Sequence, residues 1–548
     1  MAITRRTFCA ASASAAAALG QTKIALATEL NFTSTRAYAD PFNDATIDVV
    51  FTGAGGAEQR VPAFWAGGQT WRVRYASSVA GSYRYRTDCS DTSNTSLHGR
   101  TGAVEIKPAT TSTNPLLKHG AIRVAPDKRH FEHVDGTPFF WLGDTWWMAL
   151  CKRMRWPEDF QALTADRVKK HFSVVQIIAG LYPDMPPFDE RGANEAGYPW
   201  DKEYTKINPA YFDAADARIQ YLVNQGLAPC IVGCWGYFLP LMGVARMKQH
   251  WRNLIARWGA YPVIWCLAGE GTMPYYLSKT PKEDAAAQKR DWTEIARYVR
   301  EIDPYHRMIT IHPSSMARDT VEDASVLDFD MLQTGHGDRA SIPNNVNKVV
   351  ESLSREPKMP VVVGEVCYEG IMEASRQEVQ RFMFWSSVLS GAAGHTYGAN
   401  GIWQVNTAAK AFGPSPHGRN WGTIPWDVAA KLPGSGMMGV GRTLLDRYKW
   451  WKFEPHPEWV DPHWSKQNYN GSYAAGVPGE VRVIFTPPNW NAPKVKAIEA
   501  GVAYKASYLD PASGARHEVG AVMADATGDW QAPLQPTFAD WVLVLEKG

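Results

Sequence analysis

Eight short apolar runs alternate with helix-like segments through the middle of the chain, and this alternation constrains the fold more than any other feature. Runs of this length, bounded by glycine and polar residues, are typical of buried strands. Strands that alternate with helices build a parallel sheet, and eight such units predict a (β/α)8 TIM barrel. The runs are FFWLG (139–143), VVQIIAG (174–180), APCIVGC (228–234), VIWCLAGE (263–270), MITIHP (308–313), FDMLQTGH (329–336), PVVVGE (360–365) and GHTYG (394–398).

The segment 209–226 is the clearest of the predicted helices between these runs. Its apolar residues recur at helical spacing, and Gly226 provides a stop signal. We therefore expect one face of this helix to pack on the barrel, through Phe212, Ala215, Ile219, Leu222 and Val223.

Both flanks of the barrel region have the period-2 pattern of antiparallel strands. Before it, strand-like runs such as TIDVVF and WRVRYA are separated by Gly, Ser, Thr and Asn; after it, EVRVIFTP and WVLVLEKG read the same way. Short strands with frequent turn signals predict small β-sandwiches. The predicted domains are an N-terminal β-sandwich at 28–112, the barrel at 113–452 and a C-terminal β-sandwich at 453–548.

The amino terminus reads as an export signal. Arg5 and Arg6 precede a mildly apolar Ala-rich stretch that ends in the small-residue pattern Ala25-Leu26-Ala27. Paired arginines followed by Thr7 and Phe8 resemble the twin-arginine type of signal. We predict a signal peptide at 1–27 and a periplasmic or secreted protein, and no apolar stretch is long enough to predict a membrane span.

The composition argues against a nucleic-acid partner and is compatible with a carbohydrate partner. The formal net charge is +2 and the basic residues are scattered, so no nucleic-acid partner is predicted. The chain holds 23 Trp, 22 Tyr and 20 Phe, side chains that stack on the C–H faces of sugars but also fill cores. A carbohydrate partner and ordinary packing both remain open on composition alone.

No metal site, cofactor or disulfide framework is predicted. Cys230, Cys234, Cys266 and Cys367 lie in or beside apolar runs, where buried free thiols are expected. The glycine-rich stretch at 434–441 follows a helix-like segment rather than a strand, so we do not interpret it as a nucleotide-binding loop.

Functional side chains are expected where the strands of a barrel end, because the carboxyl ends of all eight strands converge on one mouth. Candidate residues follow each of the eight runs or lie at their ends. They are Asp144, Trp146, Trp147, Tyr182, Asp184, Trp235, Glu270, His312, His336, Glu365, Tyr397 and Trp403, with Glu369 a turn beyond the seventh run.

Glu270 and Glu365 end the fourth and seventh runs and are expected on opposite sides of the mouth. Two facing carboxyl groups are the apparatus of a glycosidase, in which one donates a proton and the other attacks the sugar or activates water. The apolar run before Glu270 suits a proton donor kept neutral by desolvation. Either glutamate alone could instead cap a helix or pair with an arginine.

The remaining candidates have structural alternatives. Asp144 with Trp146 and Trp147 could wall a sugar subsite, or could be a helix cap with two core aromatics. His312 and His336 could bind a sugar or a carboxylate, whereas the His-x-His motif of many metallohydrolase barrels is missing from the first run. Glu369 could hold a loop, a neighbouring base or a sugar hydroxyl.

Several longer motifs resemble those of the apiosidase-like glycoside hydrolases, family 140 and its relatives. They are FFWLGDTWW, DERGANEAGYPW, IWCLAGE, VGEVCYEG and GHTYGANGIW, and the resemblance spans roughly 115 to 455. It implies that Glu270 is the acid/base and Glu365 the nucleophile, with a β-sandwich before the barrel and a domain of collagen-binding type after it. Many members carry aspartate at the position of Glu270, so apiose specificity is not implied with the fold.

The sequence thus predicts an exported glycosidase that acts on a plant or bacterial polysaccharide or oligosaccharide by a retaining mechanism. Loops at 182–206 and 399–426 could wall the mouth into a pocket, which favours exo action. The alternatives are an inverting glycosidase with the same carboxyl pair and a non-catalytic carbohydrate-binding protein. The sequence does not indicate the sugar, the linkage or the oligomeric state.

Overall fold

A computed structural model describes residues 27–107 and 112–548. The predicted signal peptide, apart from Ala27, lies outside the described residues. Within them, no helix combines the length and the hydropathy needed to cross a bilayer.

The eight apolar runs form one parallel sheet, numbered here as barrel strands 1 to 8 in chain order. Their order in the sheet is 5-4-3-2-1-8-7-6, so that strand 1 pairs with strand 8 and the sheet curls into a nearly closed barrel. This confirms the predicted (β/α)8 fold. The strands span Trp141–Thr145, Val174–Ile178, Ala228–Val232, Ile264–Cys266, Ile309–Thr310, Asp330–Gln333, Val361–Glu365 and Gly394–Tyr397.

Helices surround the barrel strands. The predicted helix at 209–226 spans Pro209–Asn224, and all five residues of its expected apolar face are buried. The glycine-rich stretch at 434–441 lies inside a helix, in agreement with the rejection of a nucleotide loop. The principal helices span Glu158–Lys169, Pro209–Asn224, Val244–Trp258, Pro281–Ile302, Ile342–Ser354, Gln377–Val388 and Pro433–Leu445.

A small antiparallel sheet precedes the barrel and packs against the amino end of its strands. It consists of Ile122–Val124, Phe131–His133 and Pro138–Phe139. The ring of Phe131 lies 5.2 Å from Phe329 and 5.9 Å from Trp141, two residues at the starts of barrel strands 6 and 1. Access to the barrel interior is therefore left to the opposite face, where the strands end.

Two flanking β regions complete the fold. The N-terminal region pairs a four-stranded sheet with a three-stranded one, and the C-terminal region pairs a six-stranded sheet with a three-stranded one. The N-terminal strands are Thr28–Thr33, Ile47–Thr52, Glu58–Pro62, Phe64–Trp65, Thr70–Tyr75, Gly81–Cys89 and Thr101–Ile106. The C-terminal strands are Glu454–Pro455, Val460–Asp461, Tyr473–Val477, Val481–Thr486, Lys494–Val495, Tyr504–Leu509, Arg516–Ala521, Trp530–Gln531 and Trp541–Lys547.

A buried ion-pair network joins the N-terminal sandwich to the barrel helices. Arg74 donates through Nη2 to Asp216 Oδ2 at 2.6 Å, and Arg257 Nη1 donates to the same oxygen at 2.9 Å. The indole of Trp258 donates to the other carboxylate oxygen at 2.7 Å. Asp216 thus neutralises two buried guanidinium groups, and these contacts lower its pKa although burial would raise it.

The C-terminal sandwich is held by a second buried pair. Arg381, on the helix that follows barrel strand 7, donates through Nε and Nη2 to both oxygens of Asp540, each at 2.7 Å. Such bidentate pairing fixes the orientation as well as the distance. The loop that carries Asp540 is therefore fixed against the barrel.

The described cysteines are free thiols, and all six are buried. This confirms the expectation for Cys230, Cys234, Cys266 and Cys367.

We predict that Asp216→Asn destabilises the protein far more than Asp213→Asn. The first substitution removes the buried counter-charge that Arg74 and Arg257 share and leaves each with only a partly exposed acid, Glu29 or Asp213, at a cost of about 3–5 kcal/mol. Asp213 also pairs with Arg257, but its side chain is 50% exposed, so its loss should cost less than about 1 kcal/mol. Urea unfolding of both variants measures the difference, and similar midpoints would contradict it.

Candidate active site

Glu365 ends barrel strand 7 and is almost fully buried, yet hydrogen-bond donors surround its carboxyl group. His336 Nε2 lies 2.8 Å and Gln333 Nε2 3.0 Å from Oε1, and His312 Nε2 lies 3.1 Å from Oε2. These three residues come from the ends of the neighbouring strands 5 and 6. The predicted convergence of strand ends therefore takes place around Glu365.

This environment favours a charged Glu365. Burial by itself raises the pKa of the carboxyl group, but the contacts with His312 and His336 outweigh burial and hold the pKa of Glu365 well below its usual value. In return, the hydrogen bond and charge of Glu365 raise the pKa of His336 despite burial, which favours the imidazolium form. Glu365 is thus an ionised, oriented carboxylate at neutral pH.

Glu270 lies beyond the end of barrel strand 4 in an uncommon backbone conformation. Its φ of 41° falls in the left-handed region, which costs a non-glycine residue conformational energy and is frequent at functional sites. The preceding Gly269 packs under the indole of Trp235, where a Cβ atom would come within 2.1 Å of the ring. Only glycine permits this contact, and it fixes the backbone that presents Glu270.

The environment of Glu270 favours its neutral form. Burial of the carboxyl group, with the charge of Glu365 as a second cause, raises the pKa of Glu270 to about 7. Gln333, which hydrogen-bonds Glu365, also stabilises ionised Glu270 and thereby limits the rise. The pKa values of the two neighbouring glutamates are therefore shifted in opposite directions.

Aromatic rings line the space around the two carboxyl groups. Trp147 packs edge-on against Trp235 at 5.8 Å and His312 at 5.3 Å, and its indole donates to Tyr368 Oη at 3.0 Å. The ring of Tyr368 stacks between His336 at 4.9 Å and Trp403 at 5.9 Å. The structure thus places the predicted Trp147, Trp235 and Trp403 beside the glutamates.

A third acid, Asp184, lies at the rim of the same site. Its Oδ1 accepts from Tyr276 Oη at 3.2 Å and from Trp421 Nε1 at 3.3 Å, whereas Oδ2 makes no hydrogen bond with the described residues. Burial raises the pKa of Asp184, and the charge of Glu365 raises it further. Asp184 therefore joins loops from three barrel strands and keeps one oxygen free.

The structure corrects the substrate-wall prediction for Asp144 and Trp146. Asp144 is fully buried and accepts from Arg167 Nε at 2.6 Å and Trp146 Nε1 at 2.7 Å. Trp146 is also fully buried and packs against Phe160 of the adjacent helix. Both side chains serve the packing of strand 1 on that helix, which is the structural alternative.

Three other predicted binding residues are also engaged within the protein. Tyr182 pairs with Tyr211 through their hydroxyl groups at 2.9 Å. Tyr397 Oη donates to Glu369 Oε2 at 2.5 Å, and the amide of Gly434 donates to both oxygens of Glu369 at 3.0–3.1 Å. All three side chains are buried and their polar groups are paired within the protein, so sugar contact is corrected to a structural role, and Glu369 holds the start of the helix Pro433–Leu445.

Gln333, Tyr368, Tyr276 and Trp421 also lie at this site and were not predicted from the sequence. Gln333 ends barrel strand 6 and Tyr368 follows strand 7, between Glu365 and Glu369, so the strand-end rule could have identified both. Tyr276 and Trp421 belong to loops, where no periodicity indicates which side chains turn toward the mouth. Among the described residues, no group of three or more His, Cys, Asp or Glu side chains is arranged to hold a metal ion.

Two protein-family models match the chain. Residues 125–452, more than half of its length, match the family described as "Apiosidase-like, catalytic domain". Residues 26–90 match a domain of unknown function, DUF5060. A search of curated proteins found no match.

Solved structures resemble the fold over most of its length. A structure described as "Glycoside hydrolase" matches with a TM-score of 0.66 and 22% identity, covering 80% of this chain and 99% of the other. A glycoside hydrolase family 5 protein from Bacteroides vulgatus ATCC 8482 matches with a TM-score of 0.66 and 20% identity, over 80% and 96% of the two chains. A second protein from that organism, provisionally assigned as a glycoside hydrolase, has a TM-score of 0.68 and 17% identity, over 95% and 98%. At these identities the likeness shows the fold alone.

We predict that Asp144→Asn lowers the free energy of unfolding far more than Asp184→Asn does. The first removes the fully buried partner of Arg167 and leaves it only the partly exposed Asp166, which should lower the free energy of unfolding by about 3–5 kcal/mol. The second keeps an amide oxygen for Tyr276 and Trp421, so we expect a change below about 1 kcal/mol. Thermal unfolding measures both, and a stable Asp144→Asn variant would contradict the structural role.

Proposed function

The chain belongs to the apiosidase-like family of glycoside hydrolases, and on that basis we propose a retaining glycosidase in which Glu365 is the nucleophile and Glu270 the acid/base. The feature that supports these roles most strongly is that the pKa values of the two neighbouring glutamates are shifted in opposite directions. Retaining and inverting enzymes both need one ionised and one protonated carboxyl group before the reaction begins, so the product anomer separates the two mechanisms. Each glutamate already has the form that its proposed role requires.

In the first step, the Glu365 carboxylate attacks the anomeric carbon of the sugar. The bond from that carbon to the glycosidic oxygen breaks, and Glu270 gives its proton to the departing oxygen. The products of this step are a glycosyl ester on Glu365 and a Glu270 carboxylate.

In the second step, Glu270 acts as a base. With Glu365 esterified, its negative charge is gone, so one of the causes that raise the pKa of Glu270 is removed. The Glu270 carboxylate takes a proton from water, the water oxygen bonds to the anomeric carbon, and Glu365 leaves as a carboxylate. Glu270 then holds a proton again and the cycle is complete.

The donors around Glu365 support its role as a leaving group as well as a nucleophile. His336 and Gln333 bind the same carboxylate oxygen, which orients the other oxygen and stabilises the negative charge that returns in the second step. Donors held at the ends of barrel strands 5 and 6 need little rearrangement during the reaction.

Exo action is supported by contacts among the loops around the mouth. The predicted wall loops, 182–206 and 399–426, meet through Asp184 and Trp421, and Arg191 donates to the carbonyl groups of Phe412 at 3.3 Å and Pro414 at 3.0 Å. Tyr276 extends this wall to the loop after barrel strand 4. Joined loops on one side of the mouth favour a pocket that accepts a chain end.

We further propose that the protein is exported and acts on plant or bacterial glycans. The paired Arg5 and Arg6 and the motif ending at Ala27 support export by the twin-arginine route. Fractionation of the host cell, with Arg5→Lys/Arg6→Lys as the comparison, tests the location of the protein.

We predict that Glu365→Gln lowers kcat by at least about a thousandfold, because the amide cannot form the glycosyl ester. Glu369→Gln is the matched control four residues along the chain, and we expect kcat/KM to fall less than about tenfold because Glu369 acts on a helix terminus. Turnover on aryl glycosides and on plant and bacterial polysaccharides measures both variants. Near-normal activity of Glu365→Gln would refute the assignment.

The anomer of the first product distinguishes retention from inversion. NMR of the reaction with the wild-type protein should show a product with the configuration of the substrate. An inverted product would instead assign Glu365 as the base for a water molecule.

We predict that kcat/KM declines as the pH rises through about 7, because Glu270 must be protonated to act as an acid and its pKa is about 7. Glu365 remains ionised throughout this range, so it does not produce the decline. Glu270→Gln should abolish the alkaline limb, whereas Glu270→Asp keeps a carboxyl group and should retain it at lower activity.

Azide provides an independent check on Glu270. With an aryl glycoside whose leaving group needs no proton, Glu270→Gln should accumulate the glycosyl enzyme, and azide should restore turnover because it attacks without a base. An unchanged pH profile together with no response to azide would assign the acid role to another residue.

A further inference from the structure

Two stacked aromatic rings project from the C-terminal sandwich. Trp490 is 79% exposed and Phe538 is 56% exposed, in a domain whose other large aromatics are mostly packed inside. Their ring centroids lie 4.1 Å apart with an interplanar angle of 26°. Phe538 thus covers one face of the indole, and the opposite face remains open to solvent.

The two segments that carry these rings are constrained and uncharged. They read PPNWNAP at 487–493 and PLQPTFA at 533–539, with five prolines and no charged side chain. Gln535 donates to the carbonyl of Thr486 at 3.4 Å, and Gln531 donates to that of Ala492 at 3.2 Å. Because proline and these bonds restrict the backbone, a ligand would not have to order the segments on binding.

The aromatic pair lies on the part of the sandwich that is fixed to the barrel. Phe538 is two residues from Asp540, which Arg381 holds through two hydrogen bonds. Arg381 belongs to the first half of the helix Gln377–Val388, which begins on the side of the barrel where strand 7 ends. The pair is therefore attached near the face that contains Glu270 and Glu365.

The size and polarity of this surface favour a sugar over a protein partner. Trp490 and Phe538 bury at most about 500 Å² in total, and even with Leu534, which is 67% exposed in the same segment, the surface falls short of the about 800 Å² that stable protein interfaces need on each partner. A single pyranose ring, by contrast, covers one face of an indole. Asn489 and Asn491 flank Trp490 in sequence and offer amide groups of the kind that bind sugar hydroxyl groups.

We propose that Trp490 and Phe538 form a second carbohydrate-binding site, which holds a neutral polysaccharide chain by stacking on the free face of the indole. The choice of ligand class rests on the glycosidase function proposed above. The site would keep a long substrate at the protein while the barrel acts on its end.

Affinity electrophoresis of the full chain tests this site. Native gels containing hydroxyethylcellulose, xylan, galactomannan or arabinogalactan are compared with gels without polysaccharide, in a Glu365→Gln background that cannot hydrolyse the polymer. Trp490→Ala and Phe538→Ala are compared with Met523→Ala, a control that is 78% exposed in the same domain. We expect retardation in at least one gel, with the Kd of Trp490→Ala raised at least about tenfold and that of Met523→Ala unchanged.

Several outcomes would overturn the proposal. They are absence of retardation in every gel, equal retardation of Trp490→Ala and Met523→Ala, and a dimer in sedimentation experiments that Trp490→Ala abolishes. Trp490→Tyr should recover much of the binding, and thermal unfolding confirms that each variant is folded. Turnover by the wild-type protein is measured separately, so failure of this site and failure of the catalytic assignment are distinguishable.

Discussion

The pairing of barrel strand 1 with strand 8 is the constraint on which the rest of the structure depends. Trp141 to Asp144 align with Gly394 to Tyr397 in parallel register, and this pairing brings the two halves of the sheet around one axis. Glu270 and Glu365 lie in different halves, on strands 4 and 7, and are brought together only by this curvature. The site is thus a product of sheet closure and not of any local motif.

The different chemistry of the two glutamates follows from where each lies relative to its strand. Glu365 is still part of strand 7, so donors from the adjacent strand 6 and from the end of strand 5 reach its carboxyl group. Glu270 lies past the end of its strand, in a left-handed conformation, where burial and the nearby negative charge act on it with few compensating donors. One barrel therefore stabilises an ionised acid and a neutral acid side by side.

The sequence was sufficient to predict the strands and the glutamate pair, because buried parallel strands are continuous apolar runs and their ends must converge. It was insufficient for Asp144, Tyr182 and Tyr397, since a strand end has two sides and the run alone does not show which side chains face the mouth. Asp144 points to a helix and pairs with Arg167, 23 residues along the chain. That contact depends on how the helix packs on the strand.

For a related reason, the aromatic composition did not show which aromatic side chains bind a ligand and which fill the core. Many of the tryptophans are core residues. Only the contacts of each side chain in the folded protein distinguish the core tryptophans from the few that face the site. The fully buried tryptophans include Trp71, Trp141, Trp146, Trp147, Trp200, Trp251, Trp258, Trp265, Trp292 and Trp385. Trp147 shows that burial and a place beside the carboxyl groups are compatible, because its ring packs against His312 while its indole binds Tyr368.

The choice of sugar must depend on the loops more than on the barrel. Strand ends supply the two carboxyl groups and the donors around Glu365, which any glycoside would meet at its anomeric carbon. Asp184, Tyr276 and Trp421 come from loops after strands 2, 4 and 8, and they form a rim beside the two carboxyl groups. Loops vary more than strands among proteins that share a fold, so the fold that this chain shares with structures of about 20% identity does not carry the specificity with it. Substitutions at these three positions should therefore alter which glycoside is accepted before they alter how it is cleaved.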